Sequence, residues 1–306
     1  MKKFKILNYS LKSDLTDIRP GIIIDDKWVL DIKKAFPSAG WATSTMTIFE
    51  NWTESKNYLK DLAEQNLDGA LNLHSLKLHA PLLYPSAIYC TGANYMDHAK
   101  EMSAEGSGVD KSKTQPYLFL KSARHCIIGH GDEIHIPNVT NSLDWEGEFA
   151  VVIGKYARNI SIENAMDYVA GYTIMNDLSA RNLARREDWP RWGIDWFGHK
   201  NFDGAAPLGP WITPSDQIED HTQCHLRLWV NDEKKQDSLV DGLIFKVPEL
   251  IEYLSRRMTL RPGDVIATGT PAGVGRPKGT FLKSGDVVKI EISGIGTLEN
   301  SVVQGI

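Results

Sequence analysis

The stretch LDWEGEFAVVIG, residues 143–154, sets three carboxylates, Asp144, Glu146 and Glu148, at every second position leading into an apolar run. A β-strand alternates its faces with period two, so the three would point the same way, roughly 6–7 Å apart at each step. Like charges on one face repel. Either that face is open to water, or something positive sits on it. Oxygen donors of this kind suit a hard divalent cation such as Mg²⁺ or Mn²⁺, which takes carboxylates and water and keeps positions open for substrate. Asp177, closing the strand-like run GYTIMND, is the natural third ligand beside Glu146 and Glu148. The apolar FAVVI that follows, with Trp145 alongside, argues for burial; a solvated strand face is the competing reading.

Working outward, short apolar runs punctuated by Gly, Pro and Asp lie on both sides: AIYCTG, YLFLKS, GYTIMND, HLRLWVN, GDVIATGT and DVVKIEIS. The better helix candidates among them are SIENAMDYVA and IEYLSRR. This pattern predicts an α+β fold, a mixed and mostly antiparallel sheet rolled or stacked on itself with helices at the margin. Residues 1–82 read as a small N-terminal α+β accessory domain, with strands at FKIL and GIIIDDKWVLDI and an amphipathic helix at SKNYLKDLAEQ. Pro81 and Pro85 punctuate the passage into a second domain, residues 83–306.

The 306 residues are 42% hydrophobic, enough for a buried core, and carry a net charge of −5 with the basic residues dispersed. That distribution offers no footprint for nucleic acid. No run approaches the ~18 apolar residues of a membrane span, and a cytoplasmic location is expected. Three widely spaced cysteines fit neither a disulfide framework nor a zinc site, and predict reduced, buried thiols.

Three further stretches carry candidate chemistry. In TGANYMDHAKEM (91–102), His98 and Glu101 stand at i and i+3, so a short helix would let the carboxylate orient the imidazole as a general base; an ordinary surface helix has the same spacing. GHKNFDGAAPLGPW (198–211) embeds Lys200, which could neutralise a carboxylate or a developing enolate. ATGTPAGVG (267–275) lacks the ending of a nucleotide phosphate loop, but a tight loop offering backbone N–H groups and the Thr270 hydroxyl to a small anion remains open.

In order, GANYMDHAKE, LDWEGEFAVVIG, AGYTIMNDLSARN, HKNFDGAAPLGPW, PGDVIATGTPAGVG and LKSGDVVKIEISGIGTLEN resemble the motif series of the fumarylacetoacetate hydrolase (FAH) superfamily over about residues 85–303. The resemblance implies a mixed β-sandwich roll, a homodimer, and Mg²⁺ or Mn²⁺ held by Glu146, Glu148 and Asp177. It makes His98 and Glu101 a water-activating dyad on a lid helix, with Asp144 supporting the site. Lys200, Thr270 and Gly269 fall at positions facing the substrate or its enolate, and Arg181 matches the arginine of the SAR motif.

The activity so implied is hydrolysis of a C–C bond in a 1,3-diketone or acylpyruvate-type 2-oxo acid, the metal acting as a Lewis acid toward the enolate. Isomerisation or oxaloacetate-type decarboxylation is the alternative, and a non-catalytic ligand-binding homologue the reading from another class. Three positions depart from the common pattern. Ala184 stands where many members have Gln, His199 precedes the lysine in place of Gly, and Asn201 follows it. Loss of the amide disfavours a small, doubly charged substrate. Trp189, Trp192, Trp196 and Phe197 would then line a pocket for a larger acyl group, or else pack a core or dimer interface.

Overall fold

The computed structural model describes residues 2–103 and 106–305. Its centre is the strand Gly147–Ile153, buried along its whole length. Phe149, Val151 and Ile153 point into one apolar layer, while Ala150 and Val152 point into another. A strand apolar on both faces has to be covered on both. It lies between Val169–Asn176 and Val265–Ala267, antiparallel to each, within a twelve-stranded sheet. One face of that sheet packs on a five-stranded sheet built around His225–Val230 and Val287–Ile292. Gly147 marks the closest approach, since a Cβ there would stand 3.1 Å from the Leu228 side chain and 3.3 Å from that of Ile290.

The other face is covered by N-terminal helices. In Trp52–Glu64 the buried residues Trp52, Ser55, Leu59, Leu62 and Ala63 recur at helical spacing and form one apolar stripe. The preceding helix Thr45–Glu50 starts from a capping box made by Ser44 and Thr47. The N-terminal strands belong to the large sheet itself. Phe4–Leu11 pairs antiparallel with Asp14–Ile24 on one side and with Ala206–Pro214 on the other, Ile6 standing opposite Ile212. Mixed sheets stacked with marginal helices match the α+β roll expected from the sequence.

One local expectation changes. SIENAMDYVA splits into a 3₁₀ turn, Ile162–Tyr168, and the start of the strand Val169–Asn176. Val169, Ala170, Tyr172 and Ile174 are needed to fill the sheet core, and that burial overrides local helix preference. Ala206–Pro214, which was not among the expected strands, is a fully buried strand. All three cysteines are free and buried. Among the described residues no helix is long and apolar enough to cross a membrane.

Candidate metal centre and its cavity

The carboxylates of the opening stretch do converge, on the far side of a break in the strand. Asp144 ends a two-residue strand paired with Ser179–Ala180, and the longer strand restarts at Gly147. Glu146 lies between them, its amide donating to Asn176 Oδ1 at 3.0 Å and its carbonyl accepting from the Asp177 amide at 2.8 Å. These bonds lock residue 146 to the end of the neighbouring strand. As a result Glu146, Glu148 and Asp177 can each offer an oxygen within 4.8 Å of the others. All are buried.

Positive charge does sit on this face, and much of it belongs to the chain. Arg181 Nε donates to Asp144 Oδ2 at 2.7 Å, and its terminal nitrogen donates to Glu146 Oε1. Lys200 Nζ donates at 2.6 Å both to Glu146 Oε2 and to Asp177 Oδ2. Lys121, absent from every motif above, brings its ammonium within 2.8 Å of Asp177 Oδ1 and donates to the carbonyls of Leu178 (3.0 Å) and Lys200 (2.7 Å). Four carboxylates thus face three cations at ion-pair distance, which leaves one carboxylate, Glu148, without a paired cation.

Among the described residues the one hydrogen bond to Glu148 comes from the Gly269 amide at 2.7 Å. Burial, then the charges of Asp177 and Glu146, push its pKa well above the usual carboxylate range. Glu146 moves the other way. Despite burial, the Arg181 and Lys200 charges hold its carboxyl far below that range. A buried oxygen-only donor set in which one carboxylate has no paired cation fits a divalent cation.

The glycine-rich loop captures anions, but they are the chain's own. Gly269 N–H goes to Glu148, Gly275 N–H to Asp144 Oδ1 at 2.7 Å, and Gly273 N–H to both oxygens of Glu101 at 3.2 and 3.1 Å. Gly269 has φ +103, and a Cβ on it would stand 2.8 Å from that of Asn94. Only glycine places this amide without strain. The Thr270 hydroxyl donates to the Gly147 carbonyl and accepts from Gln236, both at 2.8 Å.

His98 and Glu101 share a face of the helix Met96–Met102, with His98 Nδ1 3.6 Å from Glu101 Oε2. That is ion-pair distance rather than a hydrogen bond. Glu101 chiefly docks the helix onto the loop at Gly273. His98, Thr270, Arg181, Lys200 and the three carboxylates line one cavity of ≈ 300 Å³, together with Ala184, Trp196, His199, Arg185 and Arg276.

The aromatic cluster divides. Trp196 stacks on Phe119 at 4.5 Å and reaches the cavity. Trp189 and Trp192 pack on each other outside it, Trp192 being 72% exposed, and Phe197 lines a separate cleft. A pocket walled by all four rings is not formed.

His199 is buried with Nδ1 2.6 Å from the Asp195 carbonyl, which can only accept, so Nδ1 carries the proton. Burial, opposed by that bond and aided by the Lys200 charge, pushes its pKa down to about 4. Between pH 6.5 and 4 the unfolded chain therefore takes up a proton that the fold refuses, and stability falls as pH drops through that window. His199→Gln is expected to flatten this part of the profile of unfolding midpoint against pH. An unchanged slope in the variant would refute the assignment.

The sheets and donor set define a β-roll protein with a buried, all-oxygen carboxylate cluster suited to a divalent cation at the end of its central strand. The chain belongs to the fumarylacetoacetate hydrolase family: the signature of the fumarylacetoacetate (FAA) hydrolase C-terminal region matches residues 87–303. It is 40% identical over 299 residues to oxaloacetate tautomerase YisK of Bacillus subtilis, covering 92% of this chain and 95% of that one. The structure is similar to a fumarylacetoacetate hydrolase from Exiguobacterium antarcticum (TM-score 0.79, 33% identity, 98% and 99% of the two chains). It is also similar to maleylpyruvate hydrolase from Sphingobium sp. SYK-6, solved with manganese(II) and pyruvate (TM-score 0.76, 27% identity, 99% and 100%).

Proposed function

We propose that this chain is a divalent-metal-dependent isomerase that interconverts the enol and keto forms of a short 2-oxo dicarboxylic acid of the oxaloacetate type. The observation that carries this reading is the end-to-end likeness to an oxaloacetate tautomerase, which spans the N-terminal region as well as the family segment. A cation held by Glu146, Glu148 and Asp177 would supply Lewis-acid polarisation of the 2-oxo oxygen. The remaining work falls to the chain. Lys200, fixed between Glu146 and Asp177, offers positive charge where the enolate oxygen develops. His98, its Nδ1 buried without a hydrogen-bond partner, would carry the proton to and from the carbon next to the 2-oxo group.

A second reading, hydrolysis of an acylpyruvate, is supported by the whole-chain similarity to maleylpyruvate hydrolase. It asks more of His98, which would have to activate water, and His98 Nδ1 stands 3.6 Å from Glu101 Oε2, outside hydrogen-bond distance. The deciding experiment follows the enol absorbance of oxaloacetate and of acetylpyruvate with Mg²⁺, with Mn²⁺ and with EDTA, assaying pyruvate and acetate as products. Fast, metal-dependent loss of oxaloacetate enol without pyruvate release is expected. Acetate released from acetylpyruvate would install the hydrolase instead, and pyruvate released from oxaloacetate a decarboxylase.

A further inference from the structure

The cations lining the cavity fall into two groups. Arg181 and Lys200 are matched by carboxylates at hydrogen-bond distance. Arg185 and Arg276 line the same cavity, yet neither guanidinium makes an ion pair or side-chain hydrogen bond among the described residues. Both are exposed, and what sets them apart is that they line the cavity that holds the carboxylate cluster.

Their placement is fixed by backbone. The Arg276 amide donates to Asp144 Oδ2 at 3.1 Å, the same oxygen that accepts from Arg181 Nε, and Arg181 goes on to Glu146. Arg276 is therefore anchored one guanidinium away from the carboxylate cluster. Arg185 is brought alongside by the turn Arg181–Leu183, and Ala184 between them is buried with a side chain too short to fill the wall. Burial, and then the charges of Arg181 and Arg185, push the Arg276 pKa down, so the guanidiniums repel one another across the gap. An anion seated there removes that repulsion and meets planar donors suited to a carboxylate.

We propose that Arg276 and Arg185 form a second anion subsite at the cavity mouth, which reads the distal carboxylate of a dicarboxylic 2-oxo acid whose other end lies at the Glu146–Glu148–Asp177 cluster. The pair supplies the polar recognition that Ala184 has lost. This deepens the functional reading above and rests on it for the chemistry of the substrate. A monocarboxylic acid of the same length would fill the cavity and leave both arginines unanswered.

The test compares malate with lactate, which share a 2-hydroxy carboxylate and differ by one distal carboxylate. Neither carries the 2-oxo group that the proposed reaction needs, so binding is read without turnover. Calorimetric titration of the Mg²⁺-loaded protein is expected to show malate bound about tenfold more tightly than lactate. Arg276→Gln should bring the two within about twofold while lactate affinity stays put, which also reports that the variant is folded. Arg185→Gln should cost part of the difference, and Arg276→Lys should restore part, keeping charge but not the fork. In the native protein, raising salt from roughly 0.05 to 0.5 M should narrow the malate advantage, because the subsite is at the mouth.

Equal affinities in the native protein overturn the proposal, as does a malate preference that survives the double Arg185→Gln, Arg276→Gln substitution or ignores salt. Should oxaloacetate go unconverted while the malate preference still collapses in Arg276→Gln, the reaction assigned above fails and the subsite stands.

Discussion

Glu148→Gln is expected to make the metal-free protein more stable and to leave it unable to respond to metal. Glu148 is the carboxylate for which the site holds no cation of its own, and its single donor is the Gly269 amide. A carboxyl whose folded pKa lies above its unfolded value keeps its stabilising proton only at low pH. As the pH rises through the folded value the buried charge forms and stability is lost. The amide oxygen of Gln can still accept from Gly269 without carrying that charge. In EDTA near neutral pH the variant should unfold later than the native protein, by about 1–3 kcal/mol. Added Mg²⁺ or Mn²⁺ should raise the native midpoint through preferential binding to the folded state and leave the variant unmoved. Turnover should fall on the order of 10³-fold. A variant that is less stable than the native protein in EDTA, or that Mg²⁺ still stabilises, would mean that Glu148 is not the carboxylate left without a paired cation.

Lys121→Met is expected to have the opposite signature. The Lys121 side chain is wholly buried, and its ammonium serves Asp177, the carbonyl of Leu178 just past the strand Val169–Asn176, and the carbonyl of Lys200 at the end of the helix Trp196–Lys200. Methionine fills similar space and supplies no proton. The Asp177 carboxylate then loses one counter-charge, and two buried carbonyls lose a donor. Breaking a buried pair from one side costs about 3–5 kcal/mol. Denaturant unfolding should show that loss in EDTA. Added divalent cation should recover part of it, since the metal replaces charge at Asp177 but not the bonds to the two carbonyls. Native-like stability in Lys121→Met would show that this lysine is a bystander.

These two residues also mark how far the sequence can be read. Glu148 was legible because its spacing from Asp144 and Glu146 posed an electrostatic problem, and the apolar run that follows favoured burial beside positive charge over a solvated face. Asp177 was legible as the residue closing a strong apolar strand. Lys121 was not, because YLFLK inverts the usual rule: Leu120 is 53% exposed and Lys121 is 2% exposed. The one available signal was that Lys121 shares its strand face with Phe119, two positions earlier, which points into the core.

Ala206–Pro214 was missed for a different reason. Prolines at 207 and 210 cannot donate to a ladder and so mask the strand pattern, and the sheet accommodates them with a register shift against Val169–Asn176. The loop at 267–275 left open a set of amides offered to a small anion, and a local pattern does not show which anion arrives. Three carboxylates distant in sequence, Glu101, Asp144 and Glu148, take those amides. Arg185 and Arg276 carried no motif at all, and their meaning comes only from being the cations left over.

The strand Phe4–Leu11 lies against Ala206–Pro214, in the same sheet as the strands that carry Glu148 and Asp177. Modularity is limited accordingly. The family signature begins at residue 87, yet a chimera joining this catalytic region to the N-terminal part of a relative would be splicing through a continuous ladder. To succeed, the donor must match the seam at Ile6 and Ile212 and the helical cover over Ala150, Val152 and Met175. Exchange between family members is therefore constrained by a shared seam, and the two parts of this chain are bound to diverge together.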